Sequence, residues 1–156
     1  MITRVGLISD THGLLREEAL AALEGSQLII HAGDVGRPEI LDELKTIAPV
    51  VAVRGNVDPQ PWAATLPTSA VAEAGSVNIY VLHNLGELDL NPAAAGFHIV
   101  VSGHSHKPAR SERDGVLYIN PGSAGPRRFS LPITVARLNL ASKPWEVDLV
   151  HLDSEP

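Results

Sequence analysis

Residues 5–34 read VGLISDTHGLLREEALAALEGSQLIIHAGD, and this stretch decides the fold. Residues 5–9 are a short apolar run without alternation, the pattern of a strand buried on both faces. Leu15, Ala19, Leu20 and Leu23 recur at helical spacing, and Gly25 supplies a stop, so a helix is predicted over 14–23. Residues 27–31 (QLIIH) form a second buried strand. The pattern continues with a helix over 38–48, Pro38 in its first turn and Pro49 beyond its end, and a strand over 50–54. Strand, helix, strand, helix, strand with short links is the signature of a parallel sheet built by crossovers.

Farther along the pattern changes. Residues 69–73 and 77–83 read as strands around Ala74-Gly75-Ser76, a hairpin signal. Residues 91–96 are at most a short helix, and 98–102 (HIVVS) are a buried strand. Strands over 110–113 and 116–120 flank Asp114-Gly115, the strongest hairpin signal in the chain. Strands over 133–140 and 145–152 follow, joined by Ala141-Ser142-Lys143-Pro144. The second half is therefore expected to be mostly antiparallel. About ten strands exceed one comfortable sheet, so two packed sheets with helices outside are predicted. No linker divides the chain, and residues 1–156 are expected to form one α/β domain.

The composition narrows the function. Of 156 residues, 44% are hydrophobic and 19% charged, which suits a globular chain. The net charge is −6 and no Lys/Arg run occurs, so no membrane-surface footprint and no tight nonspecific nucleic-acid binding are expected. Cysteine is absent, which excludes disulfides, thiolate metal sites and Cys nucleophiles. No apolar run approaches the ~18 residues of a membrane span. The N-terminus meets Asp10 and His12 too soon for a signal peptide, so a cytoplasmic location is expected.

Polar residues gather just after the apolar strands: Asp10 and His12, then Asp34, Asn56, His83, and finally His104 and His106. In an α/β sheet the ligand crevice lies outside the carboxyl ends of the strands. Imidazole and carboxylate suit Mn, Fe, Zn, Co or Ni. Seven ligands are too many for one ion and suit two that share a bridging carboxylate, for which the turn after the second strand is a natural place. Glycines precede several of these residues (Gly33, Gly55, Gly103), and a positive φ at each is expected to turn the chain toward the metals. Each motif alone recurs as ordinary turn or capping chemistry. In order, each at a strand end, they point to a site. His98 and His151 are expected to be structural or surface residues, and His31 a partner behind the ligands.

The ordered set Asp10-x-His12, Gly33-Asp34, Gly55-Asn56-x-Asp58, His83, Gly103-His104-x-His106 resembles the calcineurin-like metallophosphoesterase superfamily, and within it the small single-domain bacterial and archaeal phosphodiesterases. Asn120-Pro121-Gly122-Ser123 with Pro126-Arg127 matches the same subgroup, so the resemblance runs from about Thr3 to Arg127. It implies a four-layer α/β/β/α sandwich of two mixed sheets. It implies two divalent ions, Mn²⁺ foremost with Ni²⁺, Zn²⁺, Fe²⁺ or Co²⁺ as alternatives. One would take Asp10, His12 and His106, the other Asn56, His83 and His104, with Asp34 bridging and a bridging hydroxide as nucleophile. Asp34, Asn56 and His104 would act in catalysis through the metals. Asp58 is expected to orient a ligand or loop, Asn120 and Ser123 to hydrogen-bond near the site, and Arg127 or Arg128 to approach a substrate phosphate.

Two positions depart from the family pattern. Val57 stands where many members carry a His able to protonate the leaving alkoxide. Asn84 stands where a Gly commonly follows the His. The resulting expectation is a phosphodiesterase acting on small diesters. The alternatives are a phosphomonoesterase or nucleotide phosphatase, and a non-catalytic scaffold on the same fold, as in the eukaryotic retromer subunit. Only a loop and a hairpin separate Asn56 from His83, which leaves no room for a cap domain. The apolar C-terminal strands offer an edge for a homo-oligomer.

Overall fold

Strands β1 (Arg4–Ile8), β2 (Leu28–His31) and β3 (Val50–Ala52) form where the apolar runs lie and pair in parallel, Val5 opposite Leu28 and Ile29 opposite Val50. The structure, a computed structural model, describes residues 1–153. Between these strands run α1 (Glu17–Leu23) and α2 (Pro38–Leu44). Helix α1 begins later than predicted because Leu14 N–H closes a turn on Thr11 and Arg16 is extended. Glu17 and Glu18 then occupy the first turn, where the helix dipole favours acidic residues. Helix α2 has Pro38 at its start and ends at Leu44, short of position 48. The residue before Pro49 disfavours helical torsions, and the chain unwinds through turns ahead of it.

The second half supplies β4 (Ser69–Ala74), β5 (Val77–Leu82), β6 (Ile99–Val101), β7 (Ala109–Arg113), β8 (Val116–Asn120), β9 (Thr134–Asn139) and β10 (Glu146–His151). Asp114 and Gly115 both have positive φ, as a two-residue hairpin turn requires. The sheets are ordered β10-β9-β1-β2-β3 and β4-β5-β6-β8-β7. The expectation of a mostly antiparallel second half holds, β9 and β10 pairing antiparallel as well, with one exception. The hairpins β4–β5 and β7–β8 are antiparallel, but β6 lies between β5 and β8 and is parallel to both. Strands 5, 6 and 8 thus point their carboxyl ends the same way, as do strands 1, 2 and 3.

One apolar core fills the space between the sheets, with Leu7, Ile30 and Leu138 from the first and Ile79, Ile99 and Ile119 from the second. Each such side chain contributes roughly 1.5–3 kcal/mol on burial. A second core packs Ala19, Leu23, Ile40 and Leu44 of the helices against Ile8, Ile29 and Val135. The outer face of the second sheet is covered more thinly. Leu82, Val100 and Val116 lie under Leu85 and Leu88, around a 3-10 turn at Leu85–Glu87. Residues 91–96 form turns, with Pro92 and Gly96 too close together for a helix. No helix among the described residues is long and apolar enough to cross a membrane.

Candidate metal centre

The carboxyl ends of both sheets meet at one seam. Past β1 and β2 the backbones stay zipped together: Asp10 N–H donates to Gly33 O (3.0 Å), His12 N–H to Asp34 O (2.9 Å) and Gly13 N–H to Val35 O (2.9 Å). Two bonds tie the second sheet to the first. His83 Nδ1, at the end of β5, lies 2.7 Å from Ala32 O, and His104 N–H, after β6, donates to Asp10 Oδ2 at 3.1 Å.

Each carboxylate at the seam has one oxygen held by the protein and the other turned inward. Asp10 Oδ2 accepts from Ser9 Oγ (2.7 Å) and His104 N. Its Oδ1 faces His12 Nε2 (3.7 Å), His83 Nε2 (3.8 Å) and His106 Nε2 (3.5 Å). Asp34 Oδ1 accepts from Val57 N–H at 3.0 Å, while Oδ2 lies 3.1 Å from His83 Nε2 and 3.6 Å from His12 Nε2. Two trios can hold an ion: Asp10, His12 and His106, and Asp10, Asp34 and His83. Asp10 Oδ1, His12 Nε2 and His83 Nε2 are buried with no hydrogen-bond partner. Ligand atoms at about 2.1 Å from a common ion stand about 3.0–3.4 Å apart, so these spacings are near those of a coordination shell. His83 is oriented for this: with its Nδ1 proton given to Ala32 O, Nε2 carries the free lone pair.

The charges reinforce one another. Burial raises the Asp10 carboxyl, but the nearness of His12, the bond from Ser9 and the nearness of His83 and His106 outweigh it and hold the pKa below the ordinary value. Burial acts likewise on Asp34, where His83 and the Val57 N–H prevail and the pKa is lowered. Burial pulls His83 down, yet Asp34 and Asp10 raise it. His106 is lowered by burial, opposed by Asp10 and assisted by the charge of Arg128.

The backbone is strained at these residues. Asp10, His12, Asp34, His104 and His106 all have φ between 47° and 72°. The left-handed region costs a non-glycine residue about 1–2 kcal/mol, and strain of this kind clusters at functional sites. The expected role of the preceding glycines therefore needs correcting. Gly33 does have positive φ, but Gly55 and Gly103 do not. They are required by close approach: an added Cβ would sit 2.0 Å from Asp34 Oδ1 at Gly55 and 2.0 Å from Ser9 Oγ at Gly103.

The remaining predicted residues are placed as follows. The His104 ring is exposed and stands edge-on to His83, centroids 5.2 Å apart. Asn56 is exposed and lines a groove with His83, Arg54 and Asn84. His104 joins neither trio. Asp58 is buried and accepts from Gly36 N–H and Gly55 N–H, both at 2.8 Å, pinning the Asp34 loop to the Asn56 loop. Asn120 Nδ2 donates to Gly103 O (3.0 Å) and Ser105 Oγ (3.1 Å), bracing the His104–His106 loop. Ser123 Oγ donates to Asp10 O at 3.1 Å. Arg127 is engaged with Asp153 and Leu131 O, so Arg128 is the arginine whose charge reaches the cluster. His98 accepts from Asn78 N–H and meets Trp145 edge-on, a structural placement.

His31 is fully buried behind the cluster. Gly33 N–H donates to its Nδ1 (3.1 Å), so Nε2 carries the proton and donates to Thr11 Oγ1 (3.0 Å), which donates to Val35 O (2.7 Å). Burial holds its pKa down to about 4, so it is a neutral brace whose one ring proton is engaged by Thr11. The sequence reading passed over Ser9 and Thr11. Their signal was adjacency to Asp10 in an otherwise apolar run.

The calcineurin-like phosphoesterase superfamily domain profile matches residues 3–143. A probable metallophosphoesterase of Methanothermobacter thermautotrophicus is 32% identical over 148 residues, covering 86% of each chain. A phosphodiesterase of Methanocaldococcus jannaschii is 26% identical over 137 residues, 76% of this chain and 82% of that one. Among solved structures, a predicted phosphoesterase of Streptococcus pneumoniae superposes with a TM-score of 0.78 at 26% identity, over 99% of this chain and 92% of that one. Vps29 of Chaetomium thermophilum shares the fold, with a TM-score of 0.76 at 17% identity over 96% and 97%. With the profile spanning every strand but β10 and every strand end that feeds the cluster, the chain belongs to the calcineurin-like phosphoesterase superfamily.

Proposed function

We propose that the chain is a phosphodiesterase dependent on two divalent ions, Mn²⁺ foremost. The observation that carries this reading is the pair of ligand trios with three buried, inward-facing atoms that no protein group satisfies. Buried polar atoms are rarely left unpaired, and an ion is the partner this donor set fits. Asp10, His12 and His106 would hold one ion. His83, His104 and Asn56 would hold the other, with Asp34 between them. When bound, the ions activate water, neutralise phosphate oxygens and stabilise charge in the transition state.

The chain's own residues set the geometry. Ser9 and the His104 N–H fix Asp10 so that Oδ1 faces inward, and Val57 N–H does the same for Asp34. Asp58 and Asn120 position the loops. No protonated group stands at position 57, and His31 is sealed away, which leaves an arginine or water to protonate the leaving group. That favours esters with acidic leaving groups. A diester preference draws support from the phosphodiesterase relative. It draws further support from Val57, which offers no proton to an alkoxide.

Metal-stripped protein assayed on bis-p-nitrophenyl phosphate and p-nitrophenyl phosphate, with and without Mn²⁺, tests this reading. Restored turnover favouring the diester is expected, with its loss in Asp34→Ala and His104→Ala. The likeness to Vps29 suggests a scaffold as the second reading. Stoichiometric metal binding with no turnover of either ester would favour it.

A further inference from the structure

The segment after β8 returns to the metal centre before it reaches β9. Ser123 Oγ holds Asp10 O, Ala124 N–H donates to Ser9 O (3.0 Å), and Gly125 lies so close to Thr11 that an added Cβ would be 2.2 Å from its carbonyl oxygen. Arg16 Nη2 holds Gly125 O from the other side at 3.2 Å. The loop closes where Thr134 N–H donates to Ser123 O (2.9 Å). Residues 124–132 are thus an excursion with both ends clamped beside Asp10.

The tip of that excursion is unusual. Leu131 N–H donates to Arg128 O (3.1 Å), closing a turn with Phe129 and Ser130 at its centre. Phe129 has φ +54° in the position where such turns favour Gly, Asn or Asp, and its side chain is 88% exposed. A large apolar ring is here held in a strained backbone conformation and given nothing to pack against. Folding does not explain either feature. Among the described residues, the exposed large apolar side chains besides Met1 and Val71 are Leu14, Val57 and Phe129. Leu14 follows His12 by two residues, and Val57 adjoins Asn56 and bonds Asp34. Arg128, next to Phe129, is the cation whose charge reaches His106.

We propose that Phe129 and Arg128 form the recognition edge of the metal centre, selecting phosphodiesters that carry a planar nucleobase. The base stacks on the Phe129 ring while the Arg128 guanidinium faces the phosphate. An exposed aromatic ring beside an arginine is how proteins hold unpaired bases: every base presents a π-face, and the contact tolerates any sequence. The strained backbone fixes where the ring points, which keeps the ordering cost of binding low. This inference rests on the phosphodiesterase reading and names its substrate class.

The test compares thymidine 5′-(p-nitrophenyl phosphate) with methyl p-nitrophenyl phosphate, which share a leaving group. Wild type should favour the nucleoside ester. Phe129→Ala should cut that preference by about fivefold to a hundredfold, the span of base–aromatic stacking, mainly through KM. Phe129→Trp should keep it. Phe129→Gly should lose the preference without lowering Tm, because it relieves the left-handed strain and removes no packing. Independently of turnover, thymidine 5′-monophosphate should quench the added emission of the Phe129→Trp protein above the background of Trp62 and Trp145. An unchanged preference in Phe129→Ala, a Tm fall in Phe129→Gly, or no quenching of the new tryptophan overturns the assignment. If wild type cleaves neither ester, the phosphodiesterase reading fails, and the quenching experiment still decides whether the ring binds a base.

Discussion

Asp58 lies away from both ligand trios, yet the geometry makes the site depend on it. Its two oxygens accept one backbone N–H each, from Gly36 on the loop after β2 and Gly55 on the loop after β3, both at 2.8 Å in a buried setting. Asp34 sits on the first loop and Asn56 on the second. Hydrogen bonds to a charged group are worth roughly 1.5–3 kcal/mol each. In Asp58→Asn one oxygen remains, and the amide nitrogen turns an N–H toward a backbone N–H. The expected loss is about 2–3 kcal/mol. In Asp58→Ala both amides lose their acceptor, and about 3–6 kcal/mol is expected. For a chain of this length 1 kcal/mol corresponds to about 2–4 °C, so Asp58→Asn should lower Tm by about 4–12 °C. Urea unfolding at pH 7.5 in chelator gives the free energies, and calorimetric titration with Mn²⁺ gives affinity, which should fall because the clamped loops carry the ligands. Asp58→Asn within about 0.5 kcal/mol of wild type, with unchanged Mn²⁺ affinity, would refute the reasoning.

Three further outcomes are expected. Gly103→Ala drives a methyl group to 2.0 Å from Ser9 Oγ and 2.7 Å from Asp10 Oδ2, so a loss of about 1–3 kcal/mol in urea unfolding and weaker Mn²⁺ binding should follow; a neutral substitution contradicts the packing argument. His31 is held neutral, its pKa lowered from 6.5 to about 4, so its contribution is complete above pH 6.5 and is lost as pH falls toward 4. That is about 3 kcal/mol in chelator-treated protein. The lowered Asp10 and Asp34 carboxyls keep their contribution above 3.8 and lose it only at lower pH, outside this window. His31→Gln keeps an acceptor for Gly33 and a donor for Thr11 and should flatten the slope between pH 4 and 6.5; an unchanged slope assigns it elsewhere. Finally, Mn²⁺ at a hundredfold over its dissociation constant adds about 2.7 kcal/mol per ion, about 5–11 °C in Tm. Identical melting in chelator and in excess Mn²⁺ would rule out a metal centre.

The sequence by itself determined the ten strands, the order of the polar strand ends and the class of ion they suit. Those features are local: an apolar run long enough for one buried strand, a Gly or Asn-type turn, and a ligand-type side chain just beyond. Element ends drifted by a few residues, as at α1 and α2, because turns and Pro49 compete with helical spacing only once the chain is packed.

Only the tertiary structure decided what depends on partners far apart in sequence. It set β6 parallel between two hairpins, since strand direction follows from which edges bury their apolar faces together. It showed that Gly55 and Gly103 are demanded by neighbours and not by their own torsions. Pairing across 94 residues made Asp10 an acceptor for His104, and pairing across 51 fixed the His83 tautomer on Ala32. It also separated Arg127, held by Asp153, from Arg128, whose charge reaches His106. A pattern read along the chain carries periodicity and residue chemistry. It carries no distance between residues that meet only after two sheets have closed on a common core.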